Sequence, residues 1–402
     1  MSLPASIVAL VERQAELAAL LEQWCNLNSG SGHAAGLERM RRALREEFAR
    51  SFPAATIDEP SAEAPGFNPT GVKALRVRVR PTAPIQILLS GHYDTVYESG
   101  DAFQTCRWID ADTINGPGVA DMKGGLVTLL AALQAFEQTP HAERIGWEAL
   151  ITPDEETGSH GSEPLFVEAA ARHHFAFIFE PARPTGDAVH SRKGTGNLRV
   201  TCHGRAAHAA KVPNDGRNAI LALAEYLLAI GRLPGEMPGV LLNVGNIRGG
   251  GAATNVVPDF AEAEVDVRIT KVADREPLLA RLHALAAPIN ARDGLRLELQ
   301  GGFNRPPKEC LPAEEAIFKE WQRAGADLGV PAFSWVHAGG GSDGNLLTAA
   351  GLPNLDGIGP IGDHLHSNRE YCRVNTIAPR AQLAALFLHR LASGEIALPA
   401  RS

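Results

Sequence analysis

The stretch LRVRVR, residues 75–80, alternates apolar and charged side chains, and IQILLS, residues 85–90, follows as a nearly continuous apolar run. Alternation marks a strand with one face on a core, whereas the continuous run marks a strand covered on both faces. Upstream, Leu17, Leu20, Leu21 and Trp24 recur at helical spacing in a stretch that also carries Glu12, Glu16 and Glu22, and a second amphipathic helix is predicted from about Leu37 to Phe48. Downstream come a helix in GGLVTLLAALQAF, a strand in GWEALIT, a helix around PLFVEAAA and a strand in FAFIF. Strands alternating with helices predict an α/β layer architecture with a mostly parallel sheet.

From residue 187 to residue 301 the order changes to strand (GNLRVTCHG), helix (DGRNAILALAEYLLAIG), strand (GVLLNVGNI), strand (FAEAEVDVRI), helix (REPLLARLHALAAPI) and strand (LRLELQ). That is the order of a ferredoxin-like α+β unit. It predicts three segments: 1–186 as the first part of a catalytic domain, 187–301 as an inserted domain, and 302–402 as the second part, closed by a helix in IAPRAQLAALFLHRLAS.

A length of 402 residues accords with two domains, since one core rarely organises so long a chain. The net charge of −8 argues against nucleic acid or an anionic membrane as partner. The five cysteines, Cys25, Cys106, Cys202, Cys310 and Cys372, are odd in number and form no CxxC pair, which suggests reduced thiols rather than a disulfide framework or a thiolate zinc site. No segment approaches the roughly 18 uninterrupted apolar residues of a membrane span. Charges interrupt ALVERQAELAALLEQW where the apolar core of a signal peptide would run, so a cytoplasmic location is expected.

ITPDEETGSHG sets Asp154, Glu155 and Glu156 side by side directly after an apolar run. The other predicted strands end in similar chemistry: IQILLSGHYDT at His92 and Asp94, and FAFIFEP at Glu180, while Asp121 in GPGVADMKGG opens a helix. Ligands of open α/β sheets bind beyond the carboxyl ends of the strands, so these side chains are expected to converge. A histidine among several carboxylates needs positive charge, and a pair of divalent metal ions supplies it. Imidazole and carboxylate donors suit two zinc ions, with cobalt or manganese also compatible. Two ions roughly 3.5–4 Å apart call for a bridging carboxylate, and Asp121 is the candidate. His92 and Glu180 would complete one ion, and Glu156 with a distal histidine the other. That histidine is expected to be His366 in DHLHSNREY, after the predicted strand segment LPNLDGIG, with His364 as its rival. Glu155 adjoins a ligand and is suited to be the general base, and Asp94 can hold the second ring nitrogen of His92. His160, His173 and His174 are read as surface or helix residues.

Together, GHYDTVY, NGPGVADMKGG, PDEETGS, EP, GRAAHAA, TNVVP, DVR, GGGSDGN and HSNREY resemble the dinuclear zinc peptidases and amidohydrolases of metallopeptidase clan MH, in matching order from about residue 85 onward. The glutamate carboxypeptidase (carboxypeptidase G) branch is the most similar, in a family that also holds aminoacylase, acetylornithine deacetylase and succinyl-diaminopimelate desuccinylase. The resemblance implies a zinc-peptidase catalytic domain carrying a lid and dimerisation domain. It also implies His92, Asp121, Glu156, Glu180 and His366 as ligands, Asp121 as the bridge and Glu155 as catalytic base. It further implies that His208 of GRAAHAA stabilises the oxyanion in a partner's site, and that Asn255, Arg268 and Ser342 bind substrate, Arg268 through a carboxylate. Read without the family, Arg268 is an outward charge and GGGSDG a flexible turn.

The expected function is metal-dependent hydrolysis of an amide bond in a small-molecule or peptide substrate, foremost by a glutamate-type carboxypeptidase and alternatively by an N-acyl-amino-acid deacylase. From other classes, a serine hydrolase built on Ser342 would lack the GxSxG elbow, and a non-catalytic, metal-free binding homologue is the alternative that an empty site in metal analysis would support. A monomeric aminopeptidase of the same clan has no use for the long insert. A sheet edge in the inserted domain invites pairing with a second copy, so a homodimer through that domain is expected.

Overall fold

The computed structural model describes residues 3–211 and 215–398. It divides into two compact units, Met1–Ser191 with Cys310–Ala338 and Ser342–Ser402, and Arg192–Glu309 with Gly339–Gly341. The boundaries thus fall later than the expected 187 and 301. The strand Ala188–Arg192 adds to the first unit's sheet, and the last strand of the second unit continues past a bulge to Arg305.

The first unit is built on an eight-stranded sheet in the order Thr56–Asp58, Leu75–Val79, Ile145–Thr152, Ile85–His92, Phe175–Ile178, Asn354–Asp356, Ala188–Arg192, Trp335–Ala338. Its central four strands are parallel, while Leu75–Val79 and Ala188–Arg192 join antiparallel on either side. Every residue of Ile145–Thr152 is buried, which is why that segment carries an apolar run without alternation. Its one acid, Glu148, is tied to Arg172 at 3.0 Å. The helices Gly125–Phe136 and Ile377–Ser393 are buried almost all round and pack on each other. Val119–Phe136 has the length and hydropathy of a membrane span, but 94% of it is buried inside the protein, so it is a core helix. A further antiparallel sheet joins Gly362–Asp363, Tyr371–Arg373, Thr113–Asn115 and Arg107–Trp108. Strands of two or three residues carry no periodicity, so the sequence does not announce them.

The second unit orders its strands Leu241–Gly249, Phe260–Ile269, Gly194–His203, Arg296–Arg305, all antiparallel. This is the ferredoxin-like arrangement. The helices Ala219–Ile230 and Arg275–Asn290 supply Leu223, Tyr226, Leu278 and Leu282 to a core shared with Val200, Val265 and Val267 of the sheet. Asn218 caps the first helix by accepting from the Leu221 amide at 3.1 Å. The edge strand Leu241–Gly249 is exposed along nearly its whole length.

Candidate metal centre

Strand register brings the acids and His92 to one level. His92 lies opposite Thr152, so the loop carrying Glu155 and Glu156 begins beside it. Ser90 lies opposite Ile178, and the same offset places His92 level with Glu180. Asp121 reaches this level from a distorted turn, Val119–Gly124, that leads into the helix Gly125–Phe136 and contains a cis Asp121–Met122 peptide. A Cβ on Gly125 would stand 2.0 Å from the Phe179 carbonyl oxygen, so only glycine lets the helix start press against the chain just before Glu180. His366 does not end a strand of the main sheet, as the sequence suggested. It sits in the turn between Gly362–Asp363 and Tyr371–Arg373, with φ of +59°.

Two donor groups result, His92 with Asp121 and Glu180, and Asp121 with Glu156 and His366, each with ligand atoms within 4.8 Å of one another. Asp121 belongs to both. Its Oδ1 lies 3.1 Å from His92 Nε2 and its Oδ2 lies 3.2 Å from His366 Nε2. Glu180 Oε1 stands 3.7 Å from His92 Nε2, and Glu156 Oε2 stands 3.1 Å from His366 Nε2. His364 and the histidines His160, His173 and His174 belong to neither group. The reading of those three as surface or helix residues fails for His173, which is buried at a helix end with Nδ1 held by the Ala169 carbonyl at 2.7 Å.

The histidines and carboxylates shift one another toward their charged forms, against burial. Burial opposes a charge on His92, yet hydrogen bonds with Asp121 and Asp94 push its pKa well above the usual value. Hydrogen bonds with Asp121 and then Glu156 push His366 up to about 11. Burial raises the Asp121 carboxyl, but the two imidazoles hold it well below the usual range. Burial and then the charge of Asp121 push Glu156 up. The donors are nitrogen and oxygen only, in two sets that share a carboxylate, and this chemistry fits divalent ions such as zinc.

Behind the donors, Asp94 is fully buried and accepts from the Glu155 amide (3.2 Å), the Glu156 amide (3.1 Å) and the Ser31 hydroxyl (2.9 Å). Its Oδ1 also lies 3.2 Å from His92 Nδ1. Asp94 therefore orients a donor imidazole, its backbone carbonyl lying 3.1 Å from His92 Nδ1 beside Oδ1, and its carboxylate fixes the loop that presents Glu155, which is half-buried next to Glu156. Asp154 closes that loop on itself by accepting from the Gly161 amide at 2.8 Å and the Ser162 hydroxyl. Glu370, to which the sequence reading gave no role, accepts from the amides of Ala120 and Asp121 at 2.9 and 3.0 Å.

Ser342 is not placed to touch a substrate or to act as a nucleophile. It is fully buried and caps the helix Asp343–Ala349, accepting from the Gly344 amide at 3.1 Å and donating to Asp356 at 2.7 Å. GGGSDGN thus ends in a helix start instead of a flexible turn. In the second unit, Asn255 presents its carbonyl to the Ala209 amide at 2.9 Å and Val256 bridges to His208, so GRAAHAA and TNVVP run side by side. His208 is exposed, and Arg268 is half-exposed and paired with Asp266 at 3.0 Å.

The chain matches the model of peptidase family M20/M25/M40 over residues 88–390. It is 26% identical over 396 residues to carboxypeptidase G2 of Pseudomonas sp., covering 96% of this chain and 92% of that protein. It is 29% identical over 328 residues to succinyl-diaminopimelate desuccinylase of Cupriavidus taiwanensis, covering 78% and 80% of the two chains. Among solved structures, the aminopeptidase PepT of Bacillus cereus superposes with a TM-score of 0.77 at 21% identity, covering 94% of this chain and 99% of that one.

Proposed function

The chain belongs to peptidase family M20/M25/M40, and from that premise we propose a hydrolase of amide bonds that works with two divalent metal ions held at Asp121. The observation that carries the reading is that the two oxygens of one buried carboxylate face two different histidines, each within its own donor group. Bound there, the ions, zinc foremost and cobalt or manganese also compatible, supply Lewis acidity to the scissile carbonyl and acidify the attacking water. Glu155 takes the proton from that water and returns it to the leaving amine. Asp94 keeps the His92 ring in one orientation and the Glu155 backbone in place.

The substrate proposed first is a glutamate-type conjugate or peptide from which a C-terminal amino acid is released, because similarity to carboxypeptidase G2 spans 96% of this chain. Deacylation of an N-acyl amino acid is the second reading, favoured by similarity to the desuccinylase over 78% of the chain. Metal-stripped, folded protein assayed against N-acyl amino acids and dipeptides should regain activity with zinc, cobalt or manganese. No recovery with any of the three sinks the proposal.

The second unit is proposed to act as a lid and to hold two copies together. Its edge strand exposes Leu241, Val244 and Ile247 and its first helix exposes Leu221 and Leu228, apolar surface that two-fold pairing would cover. In such a homodimer His208 is proposed to steady the oxyanion in the partner's site, with Asn255 and Arg268 binding substrate. Mixing inactive Glu155→Gln chains with inactive His208→Ala chains should then restore part of the activity. No recovery after verified exchange would remove His208 from that role. The proposed location is the cytoplasm, in keeping with five cysteines that form no disulfide with one another.

A further inference from the structure

Glu370 follows His366 by four residues and is completely buried. Its Oε1 accepts from the amides of Ala120 and Asp121 at 2.9 and 3.0 Å, and its Oε2 accepts from the Gly118 amide at 3.2 Å and the Tyr97 hydroxyl at 2.7 Å. The turn that carries Asp121 thus aims three backbone N–H groups at one anion, with Gly118 in the left-handed region at φ +71°. Amides of one turn aimed together in this way form an anion-binding nest, and here the chain supplies its own anion, the Val119 amide alone turning away to the Gly116 carbonyl. Left unfilled, those buried donors would each cost free energy.

The same residue ties in two other ligand-bearing segments. The Tyr97 hydroxyl also lies 2.8 Å from the Ser367 carbonyl, and Tyr97 ends the segment that begins at His92 and Asp94. The Glu370 carbonyl accepts from Asn115 Nδ2 at 2.7 Å, which fastens the turn of His366 to the strand leading into the Asp121 turn. One carboxylate therefore stands at the junction of the segments carrying His92, Asp121 and His366.

We infer that Glu370 is the positioning residue of the metal centre: by filling the nest of Gly118, Ala120 and Asp121 it sets the Asp121 carboxylate between the two donor groups and locks that turn to the one bearing His366. This rests on the reading of the centre as a two-metal site. A role in folding alone would use the same hydrogen bonds but would leave metal affinity unchanged once the chain had folded.

Glu370→Gln separates the two roles. Its amide nitrogen must replace Oε1 or Oε2, and each of those accepts at least one backbone N–H. One donor of the nest then faces another donor, and the turn must shift. Full-length wild type, Glu370→Gln and Tyr97→Phe are stripped of metal, and their unfolding is measured before reloading. Zinc affinity is read by competition with a chromogenic chelator, the centre's geometry by cobalt visible absorption, and turnover by kcat and KM separately. For Glu370→Gln, zinc affinity should fall about 10- to 100-fold, the cobalt spectrum should change, and kcat should fall more than KM rises. Wild-type affinity and spectrum in this variant overturn the inference while the two-metal reading stands, whatever happens to its unfolding. If Glu370→Gln does not fold, Tyr97→Phe, which removes the hydroxyl shared by Oε2 and the Ser367 carbonyl, should show a smaller weakening with an altered cobalt spectrum, and no change in either overturns the inference. Wild type that binds no zinc overturns the two-metal reading and the inference together.

Discussion

Replacing Asp94 with asparagine tests whether one buried carboxylate serves both the donor histidine and the catalytic loop. Its two oxygens divide the work: Oδ1 faces His92 Nδ1 and the Glu155 amide, and Oδ2 faces the Glu156 amide and the Ser31 hydroxyl. Whichever way the new amide turns, its NH2 meets a backbone N–H. A buried donor left unpaired costs about 1–3 kcal/mol, so the metal-free protein should lose roughly that much stability in denaturant unfolding. Loss of the carboxylate behind a donor histidine typically weakens metal binding by about 10- to 100-fold, or about 1.4–2.7 kcal/mol. Zinc affinity, measured by chelator competition on the folded variant, should fall by that factor. Ser31→Ala is the control, since it removes one hydroxyl and leaves every other contact of Asp94 in place. It should cost only about 1 kcal/mol with zinc affinity nearly unchanged. If Asp94→Asn matched wild type in both stability and zinc affinity, the double role assigned to Asp94 would be refuted.

Glu155→Gln should keep both metals and the fold yet lose at least about 100-fold in turnover, whereas Glu156→Gln should lose metal, and equal metal loss in the two variants would refute the division between base and ligand. The neighbouring carboxylates raise His366 to about 11, so the imidazole is protonated at neutral pH and must lose that proton to bind a cation. Zinc binding at pH 7 should therefore release protons and weaken as pH falls, and calorimetric enthalpies that are identical in buffers of different ionisation enthalpy would refute this. Ser342→Ala should cost about 0.5–2 kcal/mol of stability through the lost helix cap with KM unchanged, and a specific rise in KM without destabilisation would return Ser342 to the substrate.

Most of the centre was legible because the main sheet is parallel at its middle. A parallel sheet sends its carboxyl ends to one side, so His92, Glu155, Glu156 and Glu180 could be grouped from where their apolar runs stop. His366 was found for a mistaken reason, since the short antiparallel strands that hold its turn have no periodic signature. The substrate-binding role that the resemblance implies for Ser342 does not accord with its burial, and the glycines before it hide from a sequence reading the helix that it caps. Glu370 shows a deeper limit. It grips amides about 250 positions earlier in the chain, and every residue other than proline has such an N–H. A carboxylate that binds side chains leaves its mark on the residue types of both partners, as His92 and Asp121 do for each other. A carboxylate that binds backbone leaves a mark on its own position alone, so the partner segment reveals it only once the chain is folded.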